Sequence, residues 1–173
     1  MTDRYLSIYL RDHLAAAQGG LEFVRRSANA NEGNEIGEML GQFIPDLQEE
    51  AGELMEAMEL LGVEPSQLKR AGMWFAEKVG RLKLNGQLTG YSPLSRLLEL
   101  EGLSAAVQMR RGLWKTMRDA RKVYPKLREL RIDRFIHQAE EQLDAIDEVH
   151  QKAARAMLKL GQERDSERGA QRH

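Results

Sequence analysis

The sequence predicts an all-α protein built on four long antiparallel helices, and three observations lead to this prediction. Apolar residues recur every three or four positions in four segments of about 25–30 residues, which is the period of a helix packed in a bundle. No run alternates with the period of two that marks a strand. Three of the four prolines fall between the periodic segments, where a helix has to end. We therefore expect a four-helix bundle around a single core.

The first two helices are predicted from one apolar stripe each. The first stripe contains Leu10, Leu14, Ala17, Leu21 and Val24, and the second contains Ile36, Leu40, Phe43, Leu47, Glu50, Leu54, Ala57 and Leu61. Pro45 lies inside the second stripe and removes one backbone hydrogen bond, so we expect a kink there. Gly62 followed by the apolar Val63 is typical of a glycine C-cap.

The third helix carries two neighbouring stripes, and the fourth carries one. The third helix has Leu97, Leu100, Ser104, Val107, Arg111, Trp114 and Met117 on one stripe and Leu94, Leu98, Glu101, Ala105 and Met109 on the other. The fourth has Ile132, Ile136, Ala139, Leu143, Ile146, His150, Ala153, Met157 and Leu160. Ser92-Pro93 predicts the start of the third helix, and Gly161 predicts the end of the fourth.

The second connection is much longer than the other two and has a helical period of its own. We expect a short accessory helix there, over about residues 66–80. Two hairpins joined by one long connection favour a crossover bundle of the ferritin-like kind, and the alternative is simple up-down-up-down order. Residues 1–161 are predicted as one helical-bundle domain and residues 162–173 as a charged, disordered tail.

Composition narrows the class of protein. The chain has no cysteine, which excludes disulfides, thiolate metal sites and cysteine nucleophiles. Together with the lack of a signal peptide, this predicts a cytoplasmic protein. No stretch approaches the ~18 uncharged apolar residues of a membrane span. No nucleophile stands beside a base at a readable spacing, and no phosphate-binding glycine loop occurs.

Charge is segregated along the chain although the net charge is only -1. Residues 32–64 contain ten acidic and no basic side chains: Glu32, Glu35, Glu38, Asp46, Glu49, Glu50, Glu53, Glu56, Glu59 and Glu64. Residues 110–134 contain ten basic ones against three acidic: Arg110, Arg111, Lys115, Arg118, Arg121, Lys122, Lys126, Arg128, Arg131 and Arg134. We interpret the two runs as partners within the fold or between subunits. Phosphate contact by the basic run is the alternative, and the acidic run argues against nucleic acid.

Two polar residues, Glu50 and His150, stand where the repeat calls for apolar side chains. A buried carboxylate takes up a proton or finds a partner. Our first interpretation is a hydrogen-bonded pair that fixes how the helices pack. A metal site and a small-ligand pocket are the alternatives.

Two long hairpins with a long second connection resemble the ferritin-like superfamily. The segments EKVGRLKLNG (residues 77–86) and GYSPLSR (residues 90–96) are also similar to a group of uncharacterised bacterial proteins. The ferritin-like resemblance implies a site for metal ions such as iron or manganese, held by Glu residues and Glu-x-x-His pairs. The candidate metal ligands that it implies are His13, Glu50, Glu53, Glu101, Asp147 and His150. Here Glu53 stands in place of a histidine, and Asp147 stands in place of a glutamate.

The order of the helices decides whether these candidates meet. In up-down-up-down order, Glu101 and His150 lie near the level of His13 and Glu50. A crossover inverts the last two helices, which moves Glu101 and His150 away and brings Glu141 to the level of Glu50. We expect a non-enzymatic bundle that forms homo-oligomers. Metal binding is the first alternative, and nucleic-acid binding through residues 110–134 is the second.

Overall fold

The computed structural model describes residues 2–65 and 93–170. These residues form four α-helices, which are α1 (Arg4–Ala30), α2 (Glu35–Leu60), α3 (Pro93–Ala120) and α4 (Ile132–Ala170). A short 3-10 helix, Pro125–Glu129, lies between α3 and α4. The described ranges contain no strand, so the predicted all-α class is confirmed. The accessory helix predicted at residues 66–80 lies outside the described residues.

The helix ends follow local capping chemistry. The side chain of Asp3 accepts hydrogen bonds from the backbone of Tyr5 and Leu6 at the start of α1, which satisfies two amides that have no partner within the helix. Asn34 caps α2 in the same way. At the end of α2, Gly62 has a φ of 66°, and the amide of Val63 donates to the carbonyl of Met58 at 2.8 Å. The predicted glycine C-cap is thus confirmed.

Two residues that disfavour a helix lie inside one, Pro45 in α2 and Gly161 in α4. Pro45 lies within α2, which is helical from Glu35 to Leu60. α4 continues through Gly161 to Ala170, so the helix end predicted at that glycine is wrong. A glycine inside a helix costs only about 1 kcal/mol relative to alanine, which is too little to stop a long helix by itself. The division into a domain at 1–161 and a tail at 162–173 stays a prediction.

Contacts between the helices establish their directions. The hydroxyl of Thr2, just before α1, donates to the carbonyl of Leu61, just after α2, so these helices are antiparallel. Tyr9 near the start of α1 lies 3.5 Å from Thr116 near the end of α3, measured between hydroxyl oxygens. Lys152 of α4 pairs with Glu35 at the start of α2.

α1 and α4 each pack against both α2 and α3 and run opposite to them. α2 and α3 are therefore parallel, and the end of α2 lies at the opposite end of the bundle from the start of α3. This is the crossover arrangement, not up-down-up-down order.

The interior consists of two apolar clusters at the two ends of the bundle. One contains Leu10, Leu54, Trp114 and Phe135, and the other contains Val24, Phe43, Val107 and Ile146, among others. The polar side chains of Glu50 and Arg110 lie between the two clusters along α2 and α3. No helix in the described part of the chain is long and apolar enough to span a bilayer.

Candidate functional site

Glu50 is the centre of a buried polar layer. Its residue is only 6% exposed. The guanidinium Nη1 of Arg110 donates to Glu50 Oε2 at 2.7 Å, and the indole Nε1 of Trp114 donates to Glu50 Oε1 at 2.5 Å. Each carboxylate oxygen therefore has its own donor, one charged and one neutral.

The layer extends from Glu50 toward the surface through α4. The second terminal nitrogen of Arg110, Nη2, donates to Oε1 of Gln142. The amide nitrogen of Gln142 then donates to Asp46 Oδ2 at 3.1 Å, one turn before Glu50 on α2. Asp46 is partly exposed, so the chain of hydrogen bonds runs from the interior to the rim of the bundle. We call Glu50, Arg110, Trp114, Gln142 and Asp46 the polar layer.

Burial and pairing oppose each other in this layer. Burial raises the pKa of Glu50 above its usual range, while Arg110 and the Trp114 hydrogen bond counteract that rise. Burial likewise lowers the pKa of Arg110, and Glu50 counteracts it. Removing two charges from water is costly, and a pair of this kind persists only when its hydrogen bonds are well formed. The arrangement serves to hold α2, α3 and α4 in one alignment.

A second cluster of charged side chains links the start of α4 to α2. Glu53, whose side chain is 3% exposed, accepts from the backbone amide of Arg131 at 2.5 Å and from its guanidinium at 2.6 Å. Glu49 accepts from both Arg131 and Arg134. Glu53 thus acts on the first turn of α4 as a carboxylate from another helix, at the end where the helix dipole is positive.

His150 and Glu101 form a separate pair. Nε2 of His150 lies 3.3 Å from Oε1 of Glu101, and the Glu101 side chain is 53% exposed. Asp147, one turn earlier on α4, accepts a hydrogen bond from Gln151. This pair lies between α3 and α4, away from Glu50, as the crossover order requires.

His13 occupies a third location on α1. Its ring meets that of Tyr9 edge to face, with the ring centroids 4.4 Å apart. Burial lowers the pKa of His13 more strongly than neighbouring Asp12 raises it. The residue is therefore a buried imidazole packed against an aromatic ring, and burial favours its neutral form.

The six candidate metal ligands do not come together. Glu50 belongs to the polar layer, Glu53 contacts Arg131 at the start of α4, and Glu101 pairs with His150. His13 lies on α1, against Tyr9. No three His, Asp or Glu side chains within residues 2–65 and 93–170 form a group that could hold a metal ion. The reason is topological, because α2 and α3 are parallel and their acidic residues lie at different levels.

The sequence did not single out the true partners of Glu50. The sequence places Arg110 in the basic run and Asp46 in the acidic run, and it carries no signal for Gln142. Arg110 follows Val107 by three positions and precedes Trp114 by four, so its spacing already places it on the core face. The stripe of α3 in the structure passes through Leu103 and Arg110, and the predicted Ser104 and Arg111 lie at its edge.

The basic run is largely neutralised within the fold. Eight of its ten side chains are paired with carboxylates: Arg110, Arg111, Lys115, Arg118, Arg121, Lys122, Arg131 and Arg134. Three of these eight pair with acidic residues of α2. The pairing predicted between the two runs is therefore present in part, at Glu49, Glu50 and Glu53.

A small cavity lies where the α1–α2 turn meets α3, beside Ser27, Ile36 and Leu103. Its volume of about 10 Å³ is room for one water molecule at most. It therefore offers no space for a small organic ligand.

Comparison of the chain with protein-family models, with characterised proteins and with solved structures finds no match.

Proposed function

We propose that this chain is a non-enzymatic helical-bundle protein that associates with further copies of itself. The observation that carries the proposal is an uncharged strip along the outer face of α3. The strip consists of Leu94, Gly102, Ala105, Met109, Gly112 and Thr116, all of them exposed. Leu94 and Met109 are 49% and 43% exposed. Exposed apolar side chains that share one helix face with small, uncharged residues offer a surface on which another helix can pack.

The interior supports the non-enzymatic part of the proposal. The carboxylates of Glu50 and Glu53 accept hydrogen bonds from Arg110, Trp114 and Arg131. A catalytic acid, base or nucleophile needs access to its substrate. These side chains instead hold helices together, and a cysteine-free chain of this composition fits the cytoplasm.

Size-exclusion chromatography with light scattering over a range of protein concentrations tests self-association. We expect the measured mass to rise above the 19.7 kDa of one chain as the concentration increases. A constant mass of one chain at the highest concentration would contradict the proposal. Repeating the measurement at high salt tells an apolar interface from a charged one, because salt screens only the latter.

Metal binding in a ferritin-like bundle is the second candidate. The contact between Glu101 and His150, two of the candidate ligands, is the observation that favours it. Elemental analysis of protein purified without chelators decides this question. Stoichiometric iron or manganese would support it, and metal well below one ion per chain would remove it. Nucleic-acid binding gains no support from a basic run that is mostly paired.

A further inference from the structure

α3 has a second stripe of residues, which lies outside the core of the bundle. The sequence places Leu94, Leu98, Glu101, Ala105 and Met109 on it. In the structure this stripe lies on the outside of α3, opposite the core stripe, with Leu98 half-buried and Glu101 at the edge that faces α4. Gly102, Gly112 and Thr116 continue it along the helix. Between Leu94 and Thr116 this face has no charged side chain along its middle.

The glycines of this face have no close neighbour within the part of the chain that the structure describes. A Cβ atom added at Gly102 or at Gly112 would meet nothing within 4 Å. Glycine weakens a helix relative to alanine. Close approach of another helix would account for both glycines, and it has to come from outside the described bundle.

Resting on the proposed self-association, we propose that α3 pairs with α3 of a second copy in an antiparallel, two-fold symmetric seam. A two-fold axis level with Val107 places Gly102 opposite Gly112 of the second copy. The same axis places Ala105 opposite Met109, a small residue against a large one. Leu98 then faces Thr116, so the seam repeats at the three-and-four spacing of paired helices.

Charges beside the seam fit the same pairing. Glu101 contacts His150 and Lys115 contacts Glu140, both on α4, so Glu101 and Lys115 lie on the same flank of α3. In the antiparallel seam, each Glu101 lies about 3 Å along the helix from the level of Lys115 of the second copy, within reach of the long lysine side chain. Gln108, which is exposed, lies one residue beyond the axis, about 3 Å along the helix from the level of its own counterpart. Lys115 lies 3.9 Å from Glu140, a contact loose enough to be shared.

The outer face of α2 provides the contrast. It carries Gly41, Gln48, Gly52 and Met55, and its two glycines are as open as those of α3. Its flank is acidic throughout, with Glu38, Glu49 and Glu56. A two-fold pairing of α2 would set like charges opposite each other, which disfavours association. The charges therefore select α3 over α2.

Single-cysteine variants test the seam because the chain has no cysteine of its own. Gln108→Cys places one thiol beside the proposed axis, and Gln48→Cys places one on the matched exposed face of α2. With a short thiol-specific cross-linker, we expect covalent dimers of the Gln108→Cys protein and few of the Gln48→Cys protein. Cross-linking of Gln48→Cys alone would overturn the seam while leaving self-association intact. No cross-linking of either variant, with light scattering still showing oligomers, would overturn the seam as well.

Alanine substitutions at the glycines give an independent measurement. Gly102→Ala with Gly112→Ala should raise the dimer dissociation constant roughly tenfold or more, since the added methyl groups separate the helices. The same pair should keep or raise the melting temperature of the monomer, because the monomer has room for both methyls. Gly41→Ala with Gly52→Ala should leave the dissociation constant unchanged. An unchanged constant for the α3 pair would overturn the seam, and a mass of one chain for the unmodified protein would overturn the proposed function itself.

Discussion

The carboxylate of Glu50 lies in the bundle interior because two donors compensate for the water that it has lost. Arg110 supplies the opposite charge, and Trp114 supplies a neutral hydrogen bond from an indole that also stacks on Phe135. Neither partner alone occupies both carboxylate oxygens. The polar layer therefore behaves as a unit. If one member is lost, the remaining buried polar groups lack a partner, and the folded state is destabilised.

Removing only Arg110 tests this dependence. We expect Arg110→Met to lower the free energy of unfolding by about 3–5 kcal/mol, because Glu50 is left as a buried carboxylate without a counter-charge. The double variant Glu50→Leu with Arg110→Met should lose much less. Urea unfolding of the four proteins of this cycle measures the coupling.

The pH dependence of the Arg110→Met variant provides a second reading. Burial raises the pKa of Glu50, so its folded state binds a proton more readily than its unfolded state. Stability is then lost as the pH rises, and the deficit should be smaller at pH 5 than at pH 8. A loss below about 1 kcal/mol at both values would mean that water reaches the carboxylate.

His13 predicts an effect of the opposite sign in the unmodified protein. Its folded pKa is lowered by burial, so the unfolded state binds the proton more readily. The stability that neutral His13 contributes is present above about pH 6.5 and is lost as the pH falls below it. In His13→Gln this part of the pH dependence should disappear. His137→Gln, at a side chain that is 74% exposed, should retain it, and equal profiles for the two variants would contradict the assignment.

At the scale of single elements, the α1–α2 turn explains why residue 37 is glycine. Gly37 differs from the other glycines within helices because it lies against another part of the backbone. Asn31 is 1% exposed, and its side-chain amide donates to the carbonyl of Ser27 at 2.8 Å. A Cβ atom at Gly37 would lie 2.2 Å from the backbone oxygen of Asn31. The turn is therefore folded back on the first turn of α2, and only a residue without a side chain fits there.

Gly37 and Gly41, one turn apart on α2, should respond in opposite directions to alanine. Gly37→Ala should lower the free energy of unfolding by about 2 kcal/mol or more, since a backbone atom cannot give way cheaply. Gly41→Ala should raise it by about 0.5–1 kcal/mol, because nothing occupies the space and alanine is the better helix former. Thermal unfolding of both variants at one protein concentration checks the contrast. A stabilising Gly37→Ala would show that the turn is looser than described.

At the scale of the whole molecule, helix direction determines which polar groups can meet. The parallel run of α2 and α3 separates Glu50 from Glu101, and the antiparallel run of α2 and α4 brings Glu49 and Glu53 to Arg131 and Arg134. The acidic and basic runs are far apart in sequence yet adjacent in the bundle. Many of the positive side chains that could have attracted nucleic acid are consequently paired with carboxylates of the same chain.

The sequence by itself determined the four long helices, apart from the end of α4, and the glycine cap at Gly62, because these depend on residues within a few turns of each other. It also showed that Glu50 would be buried. Only the tertiary structure decided that Arg110, Trp114 and Gln142 would be its partners, since they come from two other helices. Periodicity records which face of a helix is buried, and it contains no information on the direction or level of the neighbouring helix. The helix order, and with it the separation of the six candidate ligands, therefore had to come from contacts between helices.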